Sequence, residues 1–298
     1  MVKHILLIIA ALALSSCNRF EIKGLFVPTG DSVQKRFEQS MEMNDSLKSC
    51  SLDCEEEYSF YVATDPHIDK TYKNLGIFND TFRNDTDASF AVILGDCIEV
   101  KGNLPRYLEA LSYHPDRHSH DNEIFHLLGN HEIYFNGWND FRELVGPSVY
   151  WFEVIFNQGK DLYISLDTAS GTLGARQTEW LRSFLEGNRK DYRYCIILTH
   201  TNFFYTDNSQ MGSGNMPIEE SFALIDLLGK QHVDLVLQGH DHYREDLTYA
   251  NVRYTVVGTI QDGSDAPEYL KVNVNKDGLH LNWMLTCHVP TCQAYRLQ

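Results

Sequence analysis

Basic residues are scarce in this chain. Lys and Arg number 25 against 41 Asp and Glu, a formal net charge of −16 with His neutral, and no cluster of Lys and Arg interrupts the imbalance. Attachment to DNA or RNA needs such clusters, so no specific nucleic-acid binding is expected. The deficit still allows a small anionic substrate, because a bound cation inverts the sign locally. Proline is sparse, at 8 of 298 residues, and there is no repeat or low-complexity tract. With 43% hydrophobic and 22% charged residues, a disordered or collagen-like chain is ruled out. No apolar run reaches the roughly 20 residues of a spanning helix. No two cysteines have the C-x2-C spacing of a zinc ribbon. Neither G-x-S-x-G nor a Cys beside a basic cluster occurs, so no covalent nucleophile is signalled.

What is present begins with an address. Lys3 is followed by a short apolar run, Ile5 to Leu14, and then by Ser15-Ser16-Cys17. A charged start, a short apolar core and small residues describe an export signal. The run is similar to the bacterial lipoprotein signal, which implies cleavage before Cys17 and lipidation of its thiol. A plain signal peptide or an N-terminal anchor is the alternative. The expected organisation is a signal at 1–16, a tether and packing segment at 17–57, and one main domain at 58–298. The expected location is outside the cytosol, anchored to a membrane through Cys17, on the periplasmic side or the cell surface. Disulfides persist there. Cys50, Cys54, Cys287 and Cys292 sit in polar flanks and can pair in several ways, whereas Cys97 and Cys195 lie in apolar surroundings that suit buried free thiols.

Within 17–57, Val33, Phe37 and Met41 recur at helical spacing. From residue 58, β-rich apolar runs occur at 58–64, 89–94, 123–128, 149–156, 161–167, 193–199, 233–238, 251–259, 268–274 and 279–285. Helical periodicity falls between several of them, at 103–113, 176–186 and 218–229. Alternating strands and helices predict parallel sheets covered by helices. The last three runs, with no helix between them, predict a meander or hairpin.

Five of these runs end in the same chemistry. They lead into Asp65-Pro66-His67, Gly95-Asp96-Cys97-Ile98-Glu99, Gly129-Asn130-His131-Glu132, His200, and Gly239-His240-Asp241-His242. Ligands of open α/β sheets bind beyond the carboxyl ends of the strands, so neighbouring strands would bring these residues into one crevice. The converging set mixes carboxylate, amide and imidazole groups, without Cys or Lys. It suits Mn, Fe or Zn better than Ca or Mg, and it is too large for a single ion.

The five motifs, in this order and each after a predicted strand, resemble the calcineurin-like metallophosphoesterases. The resemblance covers about residues 58–285, and Leu166-Asp167 with Gln177, Trp180 and Leu181 is similar to the family's middle section. It implies an α/β fold, a four-layer α/β/β/α sandwich of two mixed sheets with a dinuclear metal site at the strand C-terminal ends. It also implies two divalent metal ions. Asp65, His67 and His242 would hold the first, Asn130, His200 and His240 the second, and Asp96 both. His131 would act on the substrate as general acid. Its partner would be Glu99, where the family carries Asp. Purple acid phosphatases share two of the motifs but have a Tyr at the Glu99 position and lack the His67 equivalent.

The implied reaction is hydrolysis of a small phosphate ester, monoester or diester. Two metals can lower the pKa of water from 15.7 toward ~7, and the resulting hydroxide attacks phosphorus in line. The alternative is a noncatalytic surface lipoprotein that binds a glycan, a lipid or a protein on the same scaffold. Aromatics follow two of the motifs, Tyr134, Phe135 and Trp138 after one and Phe203, Phe204 and Tyr205 after the other. Core packing explains such residues by default, but Tyr134, Phe203 and Tyr205 are candidates for the substrate pocket. His126 reads as a core residue, His114, His118 and His120 as a solvated loop, and 206–216 as a surface loop or a lid. Oligomeric state is not legible.

Overall fold

The computed structural model describes residues 28–46, 50–111, 123–205 and 215–286. The predicted signal, Cys17, the three histidines of 114–120 and residues 206–214 lie outside them. The elements are α1 (Val33–Ser46), β1 (Cys50–Asp53), β2 (Tyr58–Ala63), α2 (Lys73–Asn84), β3 (Ala88–Ile93), α3 (Leu104–Ala110), β4 (Glu123–His126), α4 (Asn130–Ile133), α5 (Trp138–Leu144), β5 (Tyr150–Phe156), β6 (Gly159–Ser165), α6 (Gly174–Asn188), β7 (Cys195–Leu198), α7 (Ile218–Lys230), β8 (Leu235–Gln238), β9 (Glu245–Tyr249), β10 (Val252–Val256), β11 (Glu268–Asn275) and β12 (Gly278–Leu285).

They form two mixed sheets, one ordered β1-β5-β6-β7-β8-β10-β9 and one ordered β12-β11-β2-β3-β4. Strands β2, β3 and β4 run parallel, as do β6, β7, β8 and β10. Side chains on a strand alternate between faces, and in the central strands both faces are apolar, so the middle of each sheet is buried on both sides. Phe60, Val62, Phe90 and Val92 meet Phe152, Tyr163, Ile196 and Leu198 between the sheets. The other faces of β2 and β3, through Tyr61, Ala91 and Ile93, are covered by Phe78 and Phe82 of α2, Tyr107 of α3 and Phe141 of α5. On the far side, Leu181 and Leu185 of α6 and Leu224 and Leu228 of α7 cover Leu162, Ile164 and Ile197. The layers are therefore helix, sheet, sheet, helix.

The described residues before 58 are built into this sandwich. Leu52 of β1 joins the core between the sheets, and β1 pairs in parallel with β5. Phe37 of α1 packs on Trp180 of α6 with ring centroids 6.0 Å apart. Arg36, fully buried, makes a two-pronged contact with the buried Asp167, Nε to Oδ2 at 2.8 Å and Nη2 to Oδ1 at 2.9 Å. Cys97 and Cys195 are buried free thiols, and Cys54 is also free.

Two differences from the sequence reading have physical causes. β1 and β9 are absent from it because both are short, polar edge strands. Helix α2 is absent because its apolar residues Leu75, Phe78 and Phe82 are diluted by Gly76 and several Asn and Asp. Of the last three strands, β10 stays in the seven-stranded sheet beside β8, and β11 and β12 form the expected hairpin in the other sheet.

Candidate metal centre

The loops after β2, β3, β4, β7 and β8 meet at one edge of the sandwich. Hydrogen bonds between them fix the meeting. The Asp65 N–H donates to Gly95 O at 3.1 Å, and the His240 N–H donates to Asp65 Oδ2 at 2.9 Å, a contact from one sheet to the other. His200 Nδ1 lies 2.8 Å from Leu94 O, which leaves its Nε2 facing inward. Glu132, buried, accepts from the backbone N–H groups of Asp96 at 2.9 Å, Gly129 at 2.8 Å and Ile98 at 3.2 Å. It is the clasp between two motif loops, a role the sequence reading did not give it. A carboxylate three residues after Gly129, at the start of a helix, was the available signal.

Backbone approach at this edge is too close for most side chains. A Cβ on Gly129 would stand 2.2 Å from both the N and the Oδ1 of Asp96, and one on Gly239 would stand 2.1 Å from Thr64 Oγ1. Asp65, His67, Asp96, His240 and His242 all have positive φ, from 43° to 72°. Each left-handed non-glycine residue costs on the order of 1–3 kcal/mol, and such strain concentrates at functional sites.

Three groups of side chains can each hold a cation, Asp65 with His67 and His242, Asp96 with His200 and His240, and His67 with Glu99 and His131, and the first two contain the expected ligands. In the first, His67 Nε2 and His242 Nε2 are 3.0 Å apart and lie 3.6 Å and 3.3 Å from Asp65 Oδ1. In the second, His200 Nε2 is 3.0 Å from Asn130 Oδ1 and 3.4 Å from Asp96 Oδ2. Asp96 Oδ2 is also 3.7 Å from His67 Nε2, so it stands between the groups, while Asp96 Oδ1 accepts the His131 N–H at 2.9 Å. All seven expected ligands are thus brought together.

The donor set fits divalent cations. Asp65 Oδ1 is buried without a hydrogen-bond donor and faces two imidazoles. Burial opposes ionisation of Asp65 and Asp96. The imidazoles nonetheless hold both carboxyls below the usual range, His242 and His67 acting on Asp65 and His200 and His131 on Asp96. Burial works against charge on His200, yet Asp96 pushes it up to about 9, while burial and the neighbouring His200 bring His240 down to about 3. The carboxylates thus draw positive charge from the imidazoles, the charge that a cation would supply.

His131 is buried on α4, its Nε2 4.0 Å from Asp96 Oδ2 and its Nδ1 3.6 Å from Glu99 Oε2. Glu99 is closer to another ring, 3.2 Å from His67 Nδ1. Tyr134 is buried beside the centre, its ring 5.0 Å from that of His131 and its hydroxyl accepting from Asn130 Nδ2 at 2.9 Å. Phe203 is placed in the core rather than among the ligand groups. It is buried in the outer core with Leu162, Leu224 and Tyr254, because an apolar side chain here gains more from that core than from the polar centre. Tyr205 is exposed at the edge of the undescribed 206–214. His126 is a buried core histidine, its Nδ1 2.8 Å from the Tyr107 hydroxyl.

A search of curated proteins finds no match. Among solved structures, a dimetal phosphatase from Danio rerio aligns at TM-score 0.54 and 13% identity, over 78% of this chain and 99% of that one. GAP50, the anchor in the inner membrane complex of Plasmodium, aligns at 0.56 and 14%, over 78% and 85%. Purple acid phosphatase PPD1 from yellow lupin (Lupinus luteus) seeds aligns at 0.59 and 16%, over 78% of this chain and 52% of that one, so this chain spans about half of that protein. At these identities the likeness is one of fold. The family model for calcineurin-like phosphoesterases matches residues 58–244, the span that holds all the motif residues, and the chain belongs to that family.

Proposed function

We propose that this protein is a dinuclear metal-dependent hydrolase of small phosphate esters. The position of Asp96 Oδ2, 3.7 Å from His67 Nε2 and 3.4 Å from His200 Nε2, is the observation that carries the reading. One carboxylate oxygen between two ligand groups suits two ions that share it. Mn, Fe and Zn all suit the mixed oxygen and imidazole donors. When bound, the ions supply positive charge that draws in the phosphoryl oxygens and makes water acidic.

The rest belongs to the chain itself. Asp65, His67 and His242 would hold one ion, and Asn130, His200 and His240 the other. The Tyr134 hydroxyl and His200 turn the Asn130 amide so that its oxygen faces inward. His131 stands beside the shared carboxylate but outside both ligand groups, where its Nε2 can give a proton to the departing alcohol. Glu99, facing Nδ1, keeps that ring oriented. Loops tied by backbone hydrogen bonds hold these groups in place before substrate arrives, which removes much of the ordering cost. The acidic surface around a cationic pit favours small esters over long polyanions.

A binding protein on the same scaffold, lipoprotein or not, would need no acid beside the ions, and the buried His131 at 4.0 Å from Asp96 Oδ2 favours hydrolysis. Export and anchoring through a lipidated Cys17 complete the proposal, and labelling with a radioactive fatty acid, lost in Cys17→Ala, tests that part. The activity is tested with residues 18–298 incubated with Mn, Fe or Zn. Turnover of p-nitrophenyl phosphate or bis-p-nitrophenyl phosphate that stops with chelator is expected. Full metal loading without turnover on a broad ester panel would leave the binding role instead.

A further inference from the structure

The chain leaves α4 through a tight turn, Tyr134–Asn136. Phe135 adopts φ 54° and ψ 34°, and Asn136 follows with φ 61°. Asn visits this left-handed region readily, whereas a bulky aromatic residue is disfavoured there. The turn is clamped. Lys101 Nζ donates to Phe135 O at 3.0 Å and to Asn136 O at 3.3 Å, and the Gly137 N–H donates to Tyr134 O at 3.1 Å. Burial does not repay the strain. Phe135 is 52% exposed, between Tyr134 at 3% and Trp138 at 1%. The turn also rests on residues 28–30, the Asn136 N–H donating to Pro28 O at 3.4 Å, but the Phe135 ring itself stays largely exposed four positions from His131, and strain of this kind clusters at functional sites.

Its location indicates which function. Lys101 lies two residues beyond Glu99, so the clamp ties the turn to the loop that brings Glu99 to His131. Val100, between them, is exposed as well. Phe135 directly follows Tyr134, whose ring lies 5.0 Å from that of His131, and Val100 directly follows Glu99, 3.6 Å from His131 Nδ1, so both exposed side chains are carried by the segments that flank the acid, which would protonate an ester's departing alcohol half. We propose that Phe135 is a specificity-determining residue that stacks on a flat aromatic ring carried by that alcohol, as in an aryl or nucleoside ester. The proposal rests on the phosphoester reading of the centre. A ring face is the partner an exposed Phe recognises better than an alkyl chain or a sugar.

The test is calorimetric binding of three phosphonates, none of them hydrolysable, to the Mn-loaded protein. They are phenylphosphonate, the methylene phosphonate analogue of AMP, and propylphosphonate. The variant is Phe135→Gly, which removes the ring and suits a positive φ, so its melting temperature should not fall. At least one ring-bearing ligand should weaken roughly tenfold while propylphosphonate is unchanged, and Phe135→Tyr should restore the loss. Loss for phenylphosphonate alone identifies aryl esters, and loss for the AMP analogue alone identifies nucleoside esters. Equal change for all three ligands, no change for any, or no binding to the parent protein overturns the proposal. Because binding needs no turnover, a protein that shows the ring preference and hydrolyses nothing would refute the hydrolase reading and leave this one standing.

Discussion

Glu99 lies against His67: its Oε2 is 3.2 Å from His67 Nδ1, nearer than the 3.6 Å to His131 Nδ1. The family pattern implies only the second contact. The longer arm of Glu, compared with Asp, reaches both rings. Partners of this kind fix the tautomer and orientation of a ligating histidine, and losing one typically costs 10–100-fold in metal affinity. Glu99→Gln should therefore weaken one of the two ions by about that factor, and Glu99→Asp should recover part of it. Metal titration in a competing chelator measures both. Unchanged affinity in Glu99→Gln would confine Glu99 to His131.

His131→Ala should lower kcat by about 10²–10⁴, the range for a lost general acid. Metal content should stay at the parent value, because the groups around Asp65 and Asp96 are complete without His131, and a loss of metal would instead assign an ion to the third group, His67 with Glu99 and His131. Steady-state kinetics with metal analysis on the same preparation separates the two effects. Activity within twofold of the parent would move the acid role elsewhere.

The centre was legible because its ligands follow strands within short motifs. Asp65-Pro66-His67 and Gly239-His240-Asp241-His242 announce their chemistry without any knowledge of the fold. The sandwich was legible because β2, β3, β7 and β8 are apolar on both faces. Contacts between residues far apart in sequence were not. Arg36 and Asp167 are 131 positions apart, and neither the helical period at Val33, Phe37 and Met41 nor the charge of Arg36 indicates a buried pair. Phe203 follows His200 closely enough to suggest a pocket, but its direction depends on how the chain turns after β7.

The buried pair carries its own prediction. Arg36 spans α1 and the loop after β6 through Asp167 Oδ1 and Oδ2, and also donates to Asp31 O at 2.7 Å. Arg36→Ala leaves Asp167 buried without its cation, which costs about 3–5 kcal/mol. Urea unfolding should show a loss of unfolding free energy of that size. A change below about 1 kcal/mol would mean that α1 is not part of the cooperative unit.

His126 sets a pH dependence. Burial brings its pKa down to about 3 in the folded chain, against ~6.5 when unfolded. Folding therefore favours the neutral ring. Its contribution is complete above about pH 6.5 and is lost as pH falls from there toward 3, at up to roughly 1.4 kcal/mol per unit. His126→Gln should flatten the fall in stability between pH 6 and 4, measured by urea unfolding at each pH. An unchanged slope would show that acid unfolding runs through other groups.

The central claim is that Asp96 is shared by two ions, and metal counting tests it most directly. The parent protein, loaded with Mn and desalted, should retain about two equivalents. His67→Ala and His200→Ala should each retain about one, and Asp96→Asn close to none, all with native circular dichroism. If Asp96→Asn keeps as much metal as the parent, or if His67→Ala and His200→Ala lose metal together from a single equivalent, the dinuclear account is wrong.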